Sequence, residues 1–328
     1  FFPDSSVERP DPGASSGGFM VTTLMAMHPS AVILDADGDY VWWWVLEDDQ
    51  FSSTRARLAH DGHSLLYRYH GVDGAPGGVM RVHLDGSVSV DTPIEEEHHD
   101  FVELADDTLV LIRRDTRLVD GQEIVGDRIL ELDRDGNETE IWTLWDQLEF
   151  DPAFHDPDDW AHANAIDHDP VEDVYYLSAR NLDTIYKIDR LSGDTLWQLG
   201  GMHSDFALPG GNTHLFDGQH QFHVDGDRVL VFDNGSTEDY VSRVVEYALD
   251  EDQGTAELVQ QWTSDPPVYV YALGDVTRLP NDNVLITWST AGRIDEFTAD
   301  GQLVQRIDMQ MGGALGFTTW HESLVFQP

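Results

Sequence analysis

Short runs of alternating apolar and polar residues, closed by glycine turns, recur along the whole chain. The unit is a strand, a turn ending in Gly, and a second strand that often carries Trp. It reads Ile33-Leu34-Asp35…Gly38…Trp42, then Val82-His83-Leu84-Asp85-Gly86, then Leu130-Glu131-Leu132-Asp133…Gly136…Trp142. It returns as Ile188-Asp189…Gly193…Trp197, Tyr247…Gly254…Trp262 and Glu296-Phe297…Gly301. The turn glycines at 38, 86, 136, 193, 254 and 301 lie 48, 50, 57, 61 and 47 residues apart. Glycine supplies the positive φ of tight hairpins, and the flanking β-branched and aromatic residues alternate as half-buried strands do.

Every copy after the first follows another hairpin, turning at Asp61-Gly62, Asp106-Asp107, His168 to Asp173, Asp225-Gly226 or Asn281-Asp282. Two hairpins make a four-stranded unit of ~40–50 residues, the size of a propeller blade. The pattern predicts an all-β, six-bladed β-propeller. The first copy lacks a leading hairpin and Gly316 to Phe326 is an apolar strand without a partner, so closure by pairing of the N- and C-terminal strands is expected. Residues 1–17, with Pro3, Pro10 and Pro12, read as an extended N-terminal tether, and 18–328 as a single propeller domain.

Composition changes the picture of the surface. There are 62 Asp+Glu against 18 Lys+Arg, a net charge of −44, and the only lysine is Lys187. Nucleic acid and anionic membrane surfaces are excluded as generic partners, because both require a basic footprint. With 41% hydrophobic residues the chain has material for a core, so the acidity does not imply disorder. Near 1 M salt the Debye length falls to ~3 Å, and self-repulsion at this charge becomes tolerable. A halophilic, archaeal source is expected. No apolar run reaches the length of a membrane span. Cysteine is absent, and the chain starts at Phe1, so a preceding secretory signal or anchor is expected.

Candidate chemistry sits at equivalent positions of three repeats, at the start of a first strand: His98-His99-Asp100-Phe101, His162-Ala163-Asn164 and Gln219-His220-Gln221-Phe222. Aligning Phe101 with Phe222 puts His99, rather than His98, level with His220. Histidines at strand starts are commonly polar punctuation, but three at one repeat position are less easily dismissed. Three imidazoles from different strands would also suit a zinc centre. Arg180, on the second strand of the repeat that begins with His162, argues instead for an anion, since a guanidinium repels a cation and matches a tetrahedral oxyanion.

Trp160-Ala161-His162-Ala163-Asn164 through Ser178-Ala179-Arg180, with Ile188-Asp189-Arg190, Gly193 and Trp197, resembles the central signature of the PAPS-independent arylsulfate sulfotransferases. The likeness continues in His98-His99-Asp100, in Gln219-His220 with Phe232-Asp233-Asn234-Gly235, in Ser242-Arg243…Glu246-Tyr247 and in Leu279-Pro280-Asn281-Asp282-Asn283-Val284-Leu285-Ile286-Thr287. It runs from about residue 95 to the C-terminus. The resemblance implies a six-bladed propeller that moves a sulfuryl group from an aryl sulfate to a phenol through a sulfated histidine, in an extracytoplasmic compartment. By motif, His220 would be the nucleophile. His162 and Arg180 would bind the sulfuryl oxygens with one of His98 and His99, and Asn164 would orient substrate. No cofactor, metal or nucleotide is implied. The chain departs from the family in lacking cysteine and a separate N-terminal β-domain, which leaves homo-oligomerisation and cell-surface assembly open.

The competing reading is a non-catalytic cell-surface propeller that keeps the anion site for adhesion or envelope assembly. Two sequons, Asn137-Glu138-Thr139 and Asn234-Gly235-Ser236, fit a glycoprotein under either reading. Asp35-Ala36-Asp37-Gly38-Asp39 and Asp133-Arg134-Asp135-Gly136-Asn137 echo the start of a calcium loop but have Leu46 and Leu144 at loop position 12, which points to hairpin turns. The Trp42-Trp43-Trp44 run is read as packing between blades.

Overall fold

The computed structural model describes residues 2–26, 28–47, 51–71, 77–235, 240–310 and 312–324. Its strands form six antiparallel sheets, the blades of a six-bladed β-propeller. Blades 2 to 5 are four-stranded and follow the chain in order. Blade 3, for example, runs through Glu97–Glu103, Leu109–Val119, Gln122–Leu132 and Glu138–Thr143. Blade 4 runs through Ala163–Asp169, Val174–Ala179, Thr184–Asp189 and Thr195–Gly200. All six turn glycines take positive φ, between 62° and 91°, as the hairpins require.

The termini close the fold as the pattern predicts. Ala314–Leu315 and Thr319–His321 pair with Phe19–Met25, so the end of the chain supplies the missing strand of blade 1. Within the stretch expected as a tether, Ser5–Glu8 is itself a strand. It pairs with Leu303–Met309 and caps the outer edge of blade 6. Val325 and Phe326, at the end of the predicted last strand, lie outside the described residues.

The repeated tryptophans explain how blades hold one another. The Trp42 indole N–H donates to Leu84 O (2.8 Å), Trp142 to Thr195 Oγ1 (3.0 Å), Trp197 to Glu251 Oε1 (3.0 Å) and Trp262 to Thr298 O (3.1 Å). Each bond reaches from a blade's outer strand to the neighbourhood of the next blade's glycine turn. Trp44 packs edge-on to Tyr67, whereas Trp43 is 53% exposed. In the two calcium-like turns, Asp35 Oδ1 accepts the N–H groups of Asp37 and Asp39, and Asp133 Oδ1 those of Asp135 and Asn137. These are Asx turns satisfied by their own backbone.

The chain divides into two compact units. The first comprises Phe1–Glu95, His220–Ala248 and Leu258–Pro328; the second comprises Glu96–Gln219 and Leu249–Glu257. The core of the second lies between blades 3 and 4, where Val110, Ile112, Ile129, Trp160, Tyr175 and Ile188 pack together. In the first, blade 1 packs against blade 2 through Ile33, Ala56 and Tyr67, and blade 5 packs against blade 6 through Phe232, Ile286 and Trp288.

Candidate active site

Strand irregularity positions the candidate residues of the second unit. In blade 3 the pairing jumps from Phe101 opposite Leu111 to Glu97 opposite Arg113, so His98, His99 and Asp100 together face Ile112. In blade 4 it jumps between Ala163 and Ala165, leaving Asn164 outside the ladder. Bulges of this kind re-aim side chains beside active sites. His99 and His162 both adopt left-handed backbone conformations, with φ of 61° and 51°. Non-glycine residues are held there at a cost of ~1–3 kcal/mol each, and only by surroundings that over-determine them.

Those surroundings bring three imidazoles together. The His99 and His162 ring centroids are 4.6 Å apart, and His98 Nδ1 lies 2.8 Å from His99 Nδ1. His98 turns its other nitrogen away, with Nε2 2.9 Å from Asp127 Oδ1. Thus His99 meets His162, and His98 supports it from behind. Asp127, a buried carboxylate, also accepts the Ala163 N–H on Oδ2 (2.8 Å), so one side chain ties the His98 segment to the residue after His162.

His162 is oriented by Asp159, whose Oδ2 lies 2.5 Å from Nδ1. Burial raises the Asp159 carboxyl, but the hydrogen bond and charge of His162, with the charges of His98 and Arg114, outweigh it and hold the group below its ordinary value. An ionised Asp159 fixes the His162 Nδ1–H and directs Nε2 chemistry elsewhere. Arg180 opens a 3-10 turn at the end of Val174–Ala179; its N–H donates to His162 O (3.2 Å), and its Nη1 to Asn181 Oδ1 (3.0 Å).

Asn164 and Gln219 have their amides oriented by oxygen partners. Asn164 Nδ2 donates to Gln219 O (2.8 Å), while Gln219 Nε2 faces Ser178 Oγ, Ala179 O and Thr184 O. Their own oxygens, Asn164 Oδ1 and Gln219 Oε1, are buried acceptors with no protein partner among the described residues. A ligand hydroxyl would satisfy such an acceptor.

In the first unit His220 is 3% exposed. Its Nδ1 lies 2.9 Å from Asn234 Oδ1, while Asn234 Nδ2 donates to Val270 O (2.7 Å) and Leu273 O (2.9 Å). Two carbonyls thereby settle which end of the Asn234 amide faces His220. An amide oxygen only accepts, so the His220 proton sits on Nδ1 and the lone pair of the neutral ring on Nε2.

The chain matches the arylsulfotransferase (ASST) family over residues 5–323. It belongs to that family. Among curated proteins no relative matches at a significant level. Similar solved structures include a Bacteroides caccae protein of unknown function (14% identity, TM-score 0.55, covering 92% of this chain and 98% of that one). A nidogen/laminin complex follows at 13% and 0.53 (92% and 98%), as does a periplasmic gluconolactonase of Pseudomonas aeruginosa at 15% and 0.50 (89% and 80%). At these identities the likeness is one of fold alone.

For this arylsulfotransferase-family chain the motifs name the histidines, Arg180 and, without a role, Gln219, and they leave out Asp127 and Asp159. Nothing in the spacing marked the two aspartates, which are 2 among 44. One sequon must be corrected. Asn234 is 0% exposed and its Nδ2, the atom a glycan would occupy, is spent on two carbonyls, so the folded chain cannot carry sugar there. Ser236 of that sequon lies outside the described residues. Asn137 stands exposed in a hairpin turn. No helix among the described residues is long and apolar enough to cross a membrane.

Proposed function

We propose that this sulfotransferase-family protein moves a sulfuryl group from an aryl sulfate to a phenol by a ping-pong route through a sulfated His220. The observation that carries the reading is the His220–Asn234 hydrogen bond, which places the ring proton on Nδ1 and the nucleophilic lone pair of the neutral imidazole on Nε2. Nε2 attacks sulfur, the S–O(aryl) bond breaks, and its electron pair departs on the phenolate oxygen. The acceptor phenol oxygen then attacks sulfur, loses its proton to a base, and the N–S pair returns to Nε2.

Such transfers depend on position and charge stabilisation more than on a strong nucleophile. Arg180, His162 and His99 are the groups we assign to the sulfuryl oxygens, with His98 and Asp127 behind His99. The His99 pair is suited to hold the proton that the leaving phenolate takes. Asn164, with an acceptor oxygen to satisfy, would take the phenolic O–H.

The test is a burst experiment with 4-nitrophenyl sulfate and no acceptor. One equivalent of 4-nitrophenol should appear per chain, with a mass gain of one SO₃ on the peptide containing His220. A His220→Asn variant with full turnover would overturn the assignment. We further infer a high-salt setting from the −44 charge, tested by whether activity and melting temperature rise together from dilute to molar KCl; an extracytoplasmic location is what the family resemblance implies.

A further inference from the structure

Outside the histidine cluster, the second unit carries a pocket of 340 Å³. This is at the lower end of the ~300–1,000 Å³ typical of small-molecule sites. Its walls come largely from the two long connections that the repeat pattern leaves unexplained. Leu148, Phe154 and His155 follow blade 3, Met202 and His203 follow blade 4, and Leu182 belongs to the turn that carries Arg180.

The strand register places this pocket beside Arg180. Ala163 pairs with Ala179, Ala179 with Thr184, and Thr184 with Gly200. His162, Arg180 and Gly201 therefore continue from the same end of blade 4. Gly201 has φ 66°, and a Cβ there would collide with Leu182 O, so the long loop crosses the Arg180 turn in direct contact with it. Asn181 joins the two places. It lines the pocket, donates through Nδ2 to Asp159 O (2.7 Å), and accepts from Arg180 Nη1 (3.0 Å).

The wall chemistry is specific. Leu148, Leu182 and Tyr186 provide apolar surface, while Phe154 and Met202 stand 69% and 67% exposed. Large apolar side chains gathered at a pocket in so acidic a chain mark a surface that a ligand covers. The Asp151 backbone N–H donates to His155 Nδ1 (2.9 Å), which puts the proton of the neutral ring on Nε2. Burial, aided by His203 and only partly opposed by Asp151, holds the His155 pKa below its ordinary value. The pocket thus combines carbon surface with polar groups, among them the His155 N–H donor, the amides of Asn181 and Gln198 and the Asp183 carboxylate. Apolar walls with hydrogen-bonding groups and a carboxylate suit a flat aromatic ring bearing oxygen, and not a bare anion.

We propose that this pocket binds the aromatic ring of a phenolic co-substrate, with His155 Nε2–H available to a ring oxygen. The phenolic identity rests on the sulfuryl-transfer reading; the binding of a ring does not. The ring could enter as the acceptor phenol or as the aryl group of the donor, and the test separates them.

The test is equilibrium binding of 2-naphthol to the full chain in molar KCl, read by naphthol fluorescence. Phenol should displace it and inorganic sulfate should not. Phe154→Ser and Met202→Ser, both at exposed positions, should each weaken binding about tenfold. Competition by 4-nitrophenyl sulfate assigns the pocket to the donor ring; its absence assigns it to the acceptor ring. Unchanged affinity in the Phe154→Ser/Met202→Ser double variant, or displacement by inorganic sulfate, overturns the proposal. His220→Asn should bind 2-naphthol with wild-type affinity while losing turnover. A wild-type chain that binds naphthol in this pocket but never transfers sulfuryl would remove the function proposed above and keep the pocket. Sulfuryl transfer with naphthol binding indifferent to the pocket variants would do the reverse.

Discussion

The His220 tautomer can be tested through Asn234. Replacing Asn234 by Ala removes three hydrogen bonds, of 2.9, 2.7 and 2.9 Å, from a residue with no exposure. The carbonyls of Val270 and Leu273 lose a donor in a buried setting. At ~1–1.5 kcal/mol per bond, with a further charge for the unsatisfied groups, stability should fall by about 3–5 kcal/mol. Activity should respond differently. Enforcing the wrong tautomer in a catalytic triad costs ~10⁴ in rate; Ala enforces neither tautomer, so the loss should be smaller, about 10². Asn234→Asp reverses the balance. Its carboxylate still accepts the Nδ1–H and keeps the lone pair on Nε2, but it faces two carbonyl oxygens where the amide donated. The Asp variant should therefore be at least as unstable as the Ala variant and yet more active. Burst rates of 4-nitrophenol release in molar KCl, alongside denaturant midpoints, measure both quantities. Activity that merely tracks stability across the two variants, or a wild-type burst rate in Asn234→Ala, would refute the reasoning.

Asp127→Asn keeps the shape but cannot serve both His98 Nε2–H and the Ala163 N–H with its one oxygen, so kcat should fall ~10–100-fold with the donor KM little changed. Steady-state kinetics measure both. In the first unit Asp295, 0% exposed, holds Arg306 through two bonds of 2.7 and 2.9 Å. Burial raises the Asp295 carboxyl, and the Arg306 pairing only partly offsets this. Arg306→Met should cost ~3–5 kcal/mol by stranding that acid, and adding Asp295→Asn should recover part of it, read from denaturant midpoints. His70 and His321 are depressed from 6.5 to about 4, in each case by burial first and then by Arg68 or Arg57 respectively. The unfolded chain binds more protons than the folded one between those values. Stability should be fully present above pH 6.5 and be lost as pH falls toward 4, by about 3 kcal/mol per histidine at ~1.4 kcal/mol per pH unit. Melting curves of the wild type and His70→Asn over that range check the sign.

The repeat was readable because propeller blades impose the same local demands each time. A hairpin turn wants glycine, and the outer strand wants a side chain long enough to reach the next blade, which is why Gly136 and Trp142 recur as Gly193 and Trp197. The candidate histidines stood out for the same reason, since they fall at equivalent strand starts of the repeat. What escaped was non-periodic. Asp127 lies mid-strand and acts on His98 across the sheet, and although the alignment selected His99 over His98, the bulge that turns His98 behind it has no mark in the sequence. The walls of the pocket lie in connections without a pattern. Asn234 misled in the opposite sense, because a sequon is defined by three neighbouring residues while burial is decided by Val270 and Leu273, far along the chain.

The pairing of Thr319–His321 with Phe19–Met25 has a temporal meaning. Blade 1 is begun by Phe19–Met25 and finished only by Thr319–His321, after the other five blades have been made. Until those residues emerge, Phe19–Met25 presents an open ladder of backbone donors and acceptors. A growing chain therefore carries a vacant seat until the strand that fills it is made. It can be shielded by a chaperone or lost to aggregation, and removal of Thr319–His321 should harm blade 1 before the blades made after it.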